Sequence, residues 1–125
     1  MIRKNPYETY KQQSVMTMTQ SEMLLKLFDG LILQLTRAKE GIAQHDVVKA
    51  NTAMQKSQKI LNYLRSTLDF QYEISNQLSA LYDYFVRQVI AANVRKDAAP
   101  LDEVLTMIRE LRDTFAQAAK QAKTQ

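Results

Sequence analysis

The chain has 125 residues and a net charge of +4, from 17 basic and 13 acidic side chains, a length that fits one domain around one core. With no cysteine and a single histidine, disulfides, thiolate metal sites, cysteine nucleophiles and most imidazole-built centres are excluded. Two glycines and two prolines are too few for a sheet protein or a phosphate-cradling loop, so the composition argues for an almost wholly helical chain.

Residues 1–18 form a segment apart. Asn5 is suited to cap a helix, Pro6 to its first position, and Glu8 stands three residues after Asn5. This predicts a short helix from Pro6 to about Gln13 with Tyr7 and Tyr10 on one face, followed by Val15. So short a helix is marginal alone and must dock on the rest. No apolar run suited to a signal peptide follows the N-terminus, and no stretch is long enough for a transmembrane helix, so a cytoplasmic protein without stable membrane insertion is expected.

The first long helix is predicted from about Gln20 to Gln44. Thr19 and Glu22 make a capping box, and Leu24, Phe28, Leu31, Leu35, Ala38 and Ile42 recur at spacings of four and three. Asp46 caps a second helix with the seam Val47, Ala50, Met54, Ser57, Leu61, Leu64 and Leu68. After a break at Asp69-Phe70-Gln71, a third helix begins near Ile74 or Ser75, carries Leu78, Tyr82, Phe85, Val89 and Ala92 inward, and ends at Arg95-Lys96-Asp97. Pro100 opens a fourth, with the seam Val104, Ile108, Leu111, Phe115, Ala118 and Ala122. Four amphipathic helices with short breaks read as an all-α, antiparallel up-and-down four-helix bundle over residues 19–125, preceded by an N-terminal cap segment, residues 1–18.

Catalytic readings find no residues to carry them. A di-iron bundle needs paired Glu-x-x-His motifs, and the position three before His45 is Ile42. His45 sits in the turn after the first helix, not mid-helix where a phosphotransfer histidine belongs. There is no G-x-x-x-x-G-K, no G-x-S-x-G and no inward carboxylate pair, so neither an enzyme nor a cofactor is expected. Nucleic acid is not expected as a partner either. The excess charge divides between residues 1–19 and 46–70, and Lys49, Lys56 and Lys59 read as a solvated face of the second helix.

The informative excess is apolar. Residues of the first helix sweep an apolar arc of roughly 200°, more than a bundle helix can bury, and Leu33 points away from the rest. Ile60 and Tyr63 lie on the lysine-bearing side of the second helix, and Tyr84 points away from the third seam, with Ile90 and Val94 flanking. Leu105 and Met107 flank the fourth seam on opposite sides. Leu33, Ile60, Tyr63, Tyr84, Leu105 and Met107 are therefore the expected partner-binding surface, with Tyr7, Tyr10 and Val15 from the cap. Gly30 and Gly41, inside the first helix, each weaken it by about 1 kcal/mol relative to alanine, which points either to a close backbone approach or to a kink. The residues alone describe a helical binding module whose partner donates amphipathic helices; a self-associating structural protein and a nucleic-acid-binding bundle remain as alternatives.

The order and spacing of several motifs resemble the flagellin-specific export chaperones of bacterial flagella, the FliS family. They are Asn5-Pro6-Tyr7 with Tyr10, Ser14-Val15 and Thr17, Leu24-Leu25, Leu27-Phe28-Asp29-Gly30, Ile60, Leu64, Leu68-Asp69, Leu81-Tyr82-Asp83-Tyr84, Ala92-Asn93, Glu103-Val104, and Leu111-Arg112 before Phe115. The chain departs from the family pattern at Gln20 (usually Pro), Phe28 (often Tyr) and Phe115 (often Trp), changes conservative for packing. The resemblance implies a non-enzymatic cytoplasmic chaperone that holds the disordered C-terminal segment of flagellin one-to-one. It implies that the client is kept from premature polymerisation and delivered to the export apparatus, with an export-gate component as a second partner. It further implies a free protein that is a monomer or weak homodimer, and a cap, with Tyr7 and Tyr10, that occupies part of the groove until the client displaces it.

Overall fold

The computed structural model describes residues 19–124, and these form four α-helices: α1 Gln20–Ala43, α2 Val47–Ser66, α3 Glu73–Arg95 and α4 Ala99–Thr124. The expected helix over Pro6–Gln13 lies outside the described residues. Consecutive helices run antiparallel and close into a ring in which α1 adjoins α2 and α4, and α3 adjoins α2 and α4. The expected up-and-down bundle is what the chain forms.

Side chains set the helix ends where the sequence places them. The Thr19 hydroxyl accepts the Glu22 amide at 3.1 Å, and Asp46 Oδ1 accepts that of Lys49 at 3.0 Å, each satisfying an orphan donor of a first turn. α1 stops in a Schellman arrangement: the Asp46 amide donates to the Gly41 carbonyl at 2.8 Å and the His45 amide to that of Ile42 at 3.1 Å. This requires His45 in the left-handed region at φ 56°. Lys96 takes the same conformation, at φ 50°, to end α3. Between α2 and α3, Asp69 Oδ1 accepts the Gln71 amide, and the Ser75 hydroxyl donates to the Asp69 carbonyl at 2.5 Å. α3 thereby starts at Glu73, slightly before the expected Ile74.

The core follows the predicted seams at their centres, with Ala53 added, while the seam ends Leu24, Ile42, Leu68 and Leu78 are only half-buried, and three further revisions stand out. Phe28, Leu31, Leu35 and Ala38 of α1 meet Ala50, Met54, Leu61 and Leu64 of α2, and Tyr82, Phe85, Val89 and Ala92 of α3, all buried. First, α4 buries Leu101 and Leu105 beside Val104 and Ile108, a wider stripe than the predicted seam. Second, the far part of that seam is not core: Leu111 and Phe115 are half-buried and Ala118 and Ala122 are exposed. The buried stripe of α4 ends at Ile108; beyond it α4 reaches α1 through the Arg112–Asp29 pair and the Phe28–Phe115 stack at 5.7 Å. Third, Val47 is 61% exposed, because the first residue of α2 stands beyond the lowest core layer.

Polar contacts span all four helix–helix boundaries. Lys49 pairs with Glu40 across α1–α2 at 3.3 Å, and Arg65 with Asp83 across α2–α3 at 3.7 Å. Lys39 pairs with Asp102, and Arg112 Nε with Asp29 at 2.7 Å, across α1–α4. Tyr84 donates to Glu103 at 2.5 Å across α3–α4. Glycine acts differently in its two positions. A β-carbon at Gly41 would stand 2.6 Å from the Ala50 backbone nitrogen, so close backbone approach is the reason for this glycine. At Gly30 it would meet only Ile60 Cδ1, at an ordinary 3.7 Å.

Candidate functional site

An apolar concavity lies at the bundle end where α1 and α3 begin and α2 and α4 finish. It measures about 470 Å³, and its walls are Met23, Leu24 and Leu27 of α1, Tyr63 and Leu68 of α2 and the following turn, Leu78 and Tyr82 of α3, and Phe115 of α4. It opens because the four seams do not end level. Tyr72, at the N-cap of α3, and Ile74, in its first turn, complete the wall, and the α2–α3 turn displays Phe70 beside it, all three more than half exposed. Periodicity did not single out Phe70 and Tyr72, since a turn has no period. The signal available was the presence of two large aromatic side chains in a break that polar residues usually fill.

A second concavity, about 370 Å³, lies between Thr19, Glu22 and Leu25 of α1 and Ala116, Ala119 and Lys120 of α4. Small residues on α4 make it: alanines cannot reach across to α1, so the same stretch that fails to bury Ala118 leaves room beside Ala116 and Ala119. The two openings lie on either side of α4's second half.

The six bundle residues predicted for partner binding are dispersed. Leu33 stands on the outer face of α1 and Tyr63 on the rim of the end cavity, each 48% exposed. Ile60 is half-buried beneath Gly30. Tyr84 and Met107 are half-buried on the α3–α4 side, where Tyr84 bonds Glu103, one turn before Met107. That bond to a carboxylate, then burial, holds the Tyr84 phenol above its ordinary pKa. Leu105 is corrected: at 3% exposure it belongs to the core, not to a surface, because it shares the buried stripe of α4 with Leu101, Val104 and Ile108. Tyr7, Tyr10 and Val15 lie outside the described residues.

Chemistry other than docking finds no footing. Among the described residues no three His, Asp or Glu side chains gather to hold a metal, and no helix is long and apolar enough to cross a membrane. Burial alone raises the Tyr82 phenol to about 12, a core effect and not the sign of a poised acid. What the arrangement offers is apolar concavity at one end and on one flank, bordered by exposed aromatic and aliphatic side chains.

Comparison with known proteins agrees with that character. The family model described as "Flagellar protein FliS" matches residues 3–122. The flagellar secretion chaperone FliS of Bacillus subtilis (strain 168) is 35% identical over 118 residues, spanning 94% of this chain and 89% of the relative. That of Salmonella typhimurium is 33% identical over 117 residues, 91% and 87% of the two chains. That of Escherichia coli (strain K12) is 30% identical over 110 residues, 86% and 81%.

Proposed function

The chain belongs to the flagellar protein FliS family, and we propose on that premise that it is a cytoplasmic export chaperone for flagellin. The family is one of chaperones, not enzymes, and its members serve flagellar secretion. In this reading the chain binds the disordered C-terminal segment of newly made flagellin one-to-one, prevents its premature polymerisation and supports its delivery to the export apparatus, where a gate component is a second partner. Residues 1–18 are a cap, with Tyr7, Tyr10 and Val15 as its contacts, and residues 19–125 are the folded unit.

The observation that carries the reading is the open apolar end of the bundle. A cavity of about 470 Å³ walled by Met23, Leu27, Leu68, Tyr72, Ile74 and Phe115, with Phe70 exposed beside it, suits a chain that shields another protein's apolar helix face. A disordered client gives up conformational freedom on binding, so it is held over a large surface without becoming irreversible cargo. A cap competing for the groove lowers client affinity by the cost of its displacement.

Light scattering of the full chain with and without a flagellin C-terminal segment tests this. The expected result is a free monomer or weak dimer that becomes a one-to-one complex. A stable homodimer indifferent to the segment would overturn it in favour of a self-associating structural protein.

A further inference from the structure

Gly30 stands in the middle of α1, at a position where the structure has no internal use for a glycine. A β-carbon there would meet nothing closer than Ile60 Cδ1 at 3.7 Å, an ordinary contact, so alanine would fit. The glycine weakens the helix and leaves the half-buried Ile60 uncovered, a shallow apolar notch on the outer side of the α1–α2 boundary. Leu33 on α1 and Tyr63 on α2, each 48% exposed, flank it.

The charges around this notch that carry no ion pair are basic. Gly30 opposite Ile60 and Gly41 opposite Ala50 fix the antiparallel register of the two helices. On α1, Lys26 lies one turn before Gly30 and Arg37 two turns after it; on α2, Lys56 lies one turn before Ile60, with Lys59 adjoining. All four are exposed, and among the described residues none is paired with an acid. The nearby carboxylates are engaged elsewhere, Asp29 by Arg112 of α4 and Glu40 by Lys49.

We propose that this notch docks an acidic amphipathic helix of a partner protein, with its small or apolar stripe over Gly30 and Ile60 and its carboxylates against Lys26, Arg37, Lys56 and Lys59. The inference rests on the reading of the chain as a protein-binding chaperone and specifies the chemistry of what it holds on this face. Charge complementarity selects the occupant. The chain's own residues 1–18 carry Arg3, Lys4 and Lys11 against one acid, Glu8, so they share the sign of the ring. A second copy docked face to face would set the same four cations against themselves. An acidic helix satisfies both features, because the missing β-carbon lets its backbone come close and the lysines and arginine supply steering and register.

Two synthetic helical peptides of about 20 residues, sharing one Leu/Ala stripe and flanked by Glu in one and Gln in the other, test this by fluorescence anisotropy on the full chain. The expected result is that the Glu peptide binds about tenfold or more tightly than the Gln peptide, a preference that shrinks as salt rises. Lys56→Glu with Lys59→Glu should abolish the preference, and Gly30→Gln should weaken the Glu peptide about tenfold by covering Ile60. Both variants should melt no lower than the parent, since the lysines are exposed and glutamine is a better helix former than glycine. Equal binding of the two peptides, or unchanged binding in the folded variants, overturns the notch. A flagellin C-terminal segment measured alongside judges the chaperone reading separately: its failure to bind the parent chain would sink that reading, whatever the Glu peptide does.

Discussion

The backbone nitrogen of Ala50 lies 2.6 Å from where a β-carbon of residue 41 would stand, so α1 and α2 touch at Gly41 without a side chain between them. Gly41→Ala forces the helices apart against a packed core and should cost about 1–3 kcal/mol. Gly30→Ala meets no such obstacle and should stabilise by about 0.5–1 kcal/mol through better helix propensity. Denaturant unfolding of the two variants should therefore show midpoints moving in opposite directions; movement the same way would mean the α1–α2 contact is misplaced.

Leu105 and Leu33 make a second contrasting pair. Leu105, at 3% exposure, sits in the α4 core stripe, and Leu105→Ala should cost about 2–5 kcal/mol. Leu33→Ala, on the outer face of α1, should stay within about 0.5 kcal/mol of the parent. Urea titration followed by circular dichroism distinguishes them.

The buried Tyr82 phenol gives the bundle an alkaline weakness. Its pKa in the fold is about 12 against an ordinary 10, so between those values the unfolded chain releases a proton that the folded chain keeps. Stability is thus intact below about pH 10 and falls as pH rises toward 12, by about 2–3 kcal/mol from this group. Tyr82→Phe should lose less stability than the parent across that window, measured as urea midpoints at several pH values. Identical alkaline slopes would rule out Tyr82 as the source.

His45 holds a left-handed conformation to complete the Schellman turn, at φ 56°. His45→Gly removes the β-carbon clash and should raise stability by about 0.5–1 kcal/mol, while His45→Val should lower it. A thermal melt that ranks valine at or above glycine would contradict the turn geometry.

Among the described residues, the buried core runs from Phe28 to Ile108 and draws on all four helices. Deleting residues 1–18 should accordingly leave a cooperatively folding bundle with more dye-accessible apolar surface. Loss of the cooperative transition would make that segment part of the core instead of a cap.

The helices and their caps were legible because the 3.6-residue period and the cap chemistry are local. Thr19, Asp46 and the Leu31–Leu35–Ala38 run need no partner to be recognised. Leu105 was not legible as core, since its burial depends on how α4 is rotated against its neighbours, which a single helix does not encode. Val47 fits its seam by period yet protrudes, because a period carries no record of where the neighbouring helices stop. The end cavity was hidden for the same reason: it is a mismatch among four helix ends. Gly41 could be suspected from its cost in α1, but only the position of Ala50 separates it from Gly30.

The polar contacts that cross each boundary of the ring have a consequence for chirality. An up-and-down bundle can be wound in either of two hands with the same helices adjacent, and apolar seams alone barely discriminate between them. Asp29 and Lys39 lie on the flank of α1 that meets Arg112 and Asp102 of α4; winding the other way would turn that flank toward α2 and break both pairs, leaving Arg112 with only its neighbour Asp113. Surface pairs individually worth little to stability thus act together as a choice between two mirror-related topologies, and so decide on which side of the molecule each groove opens.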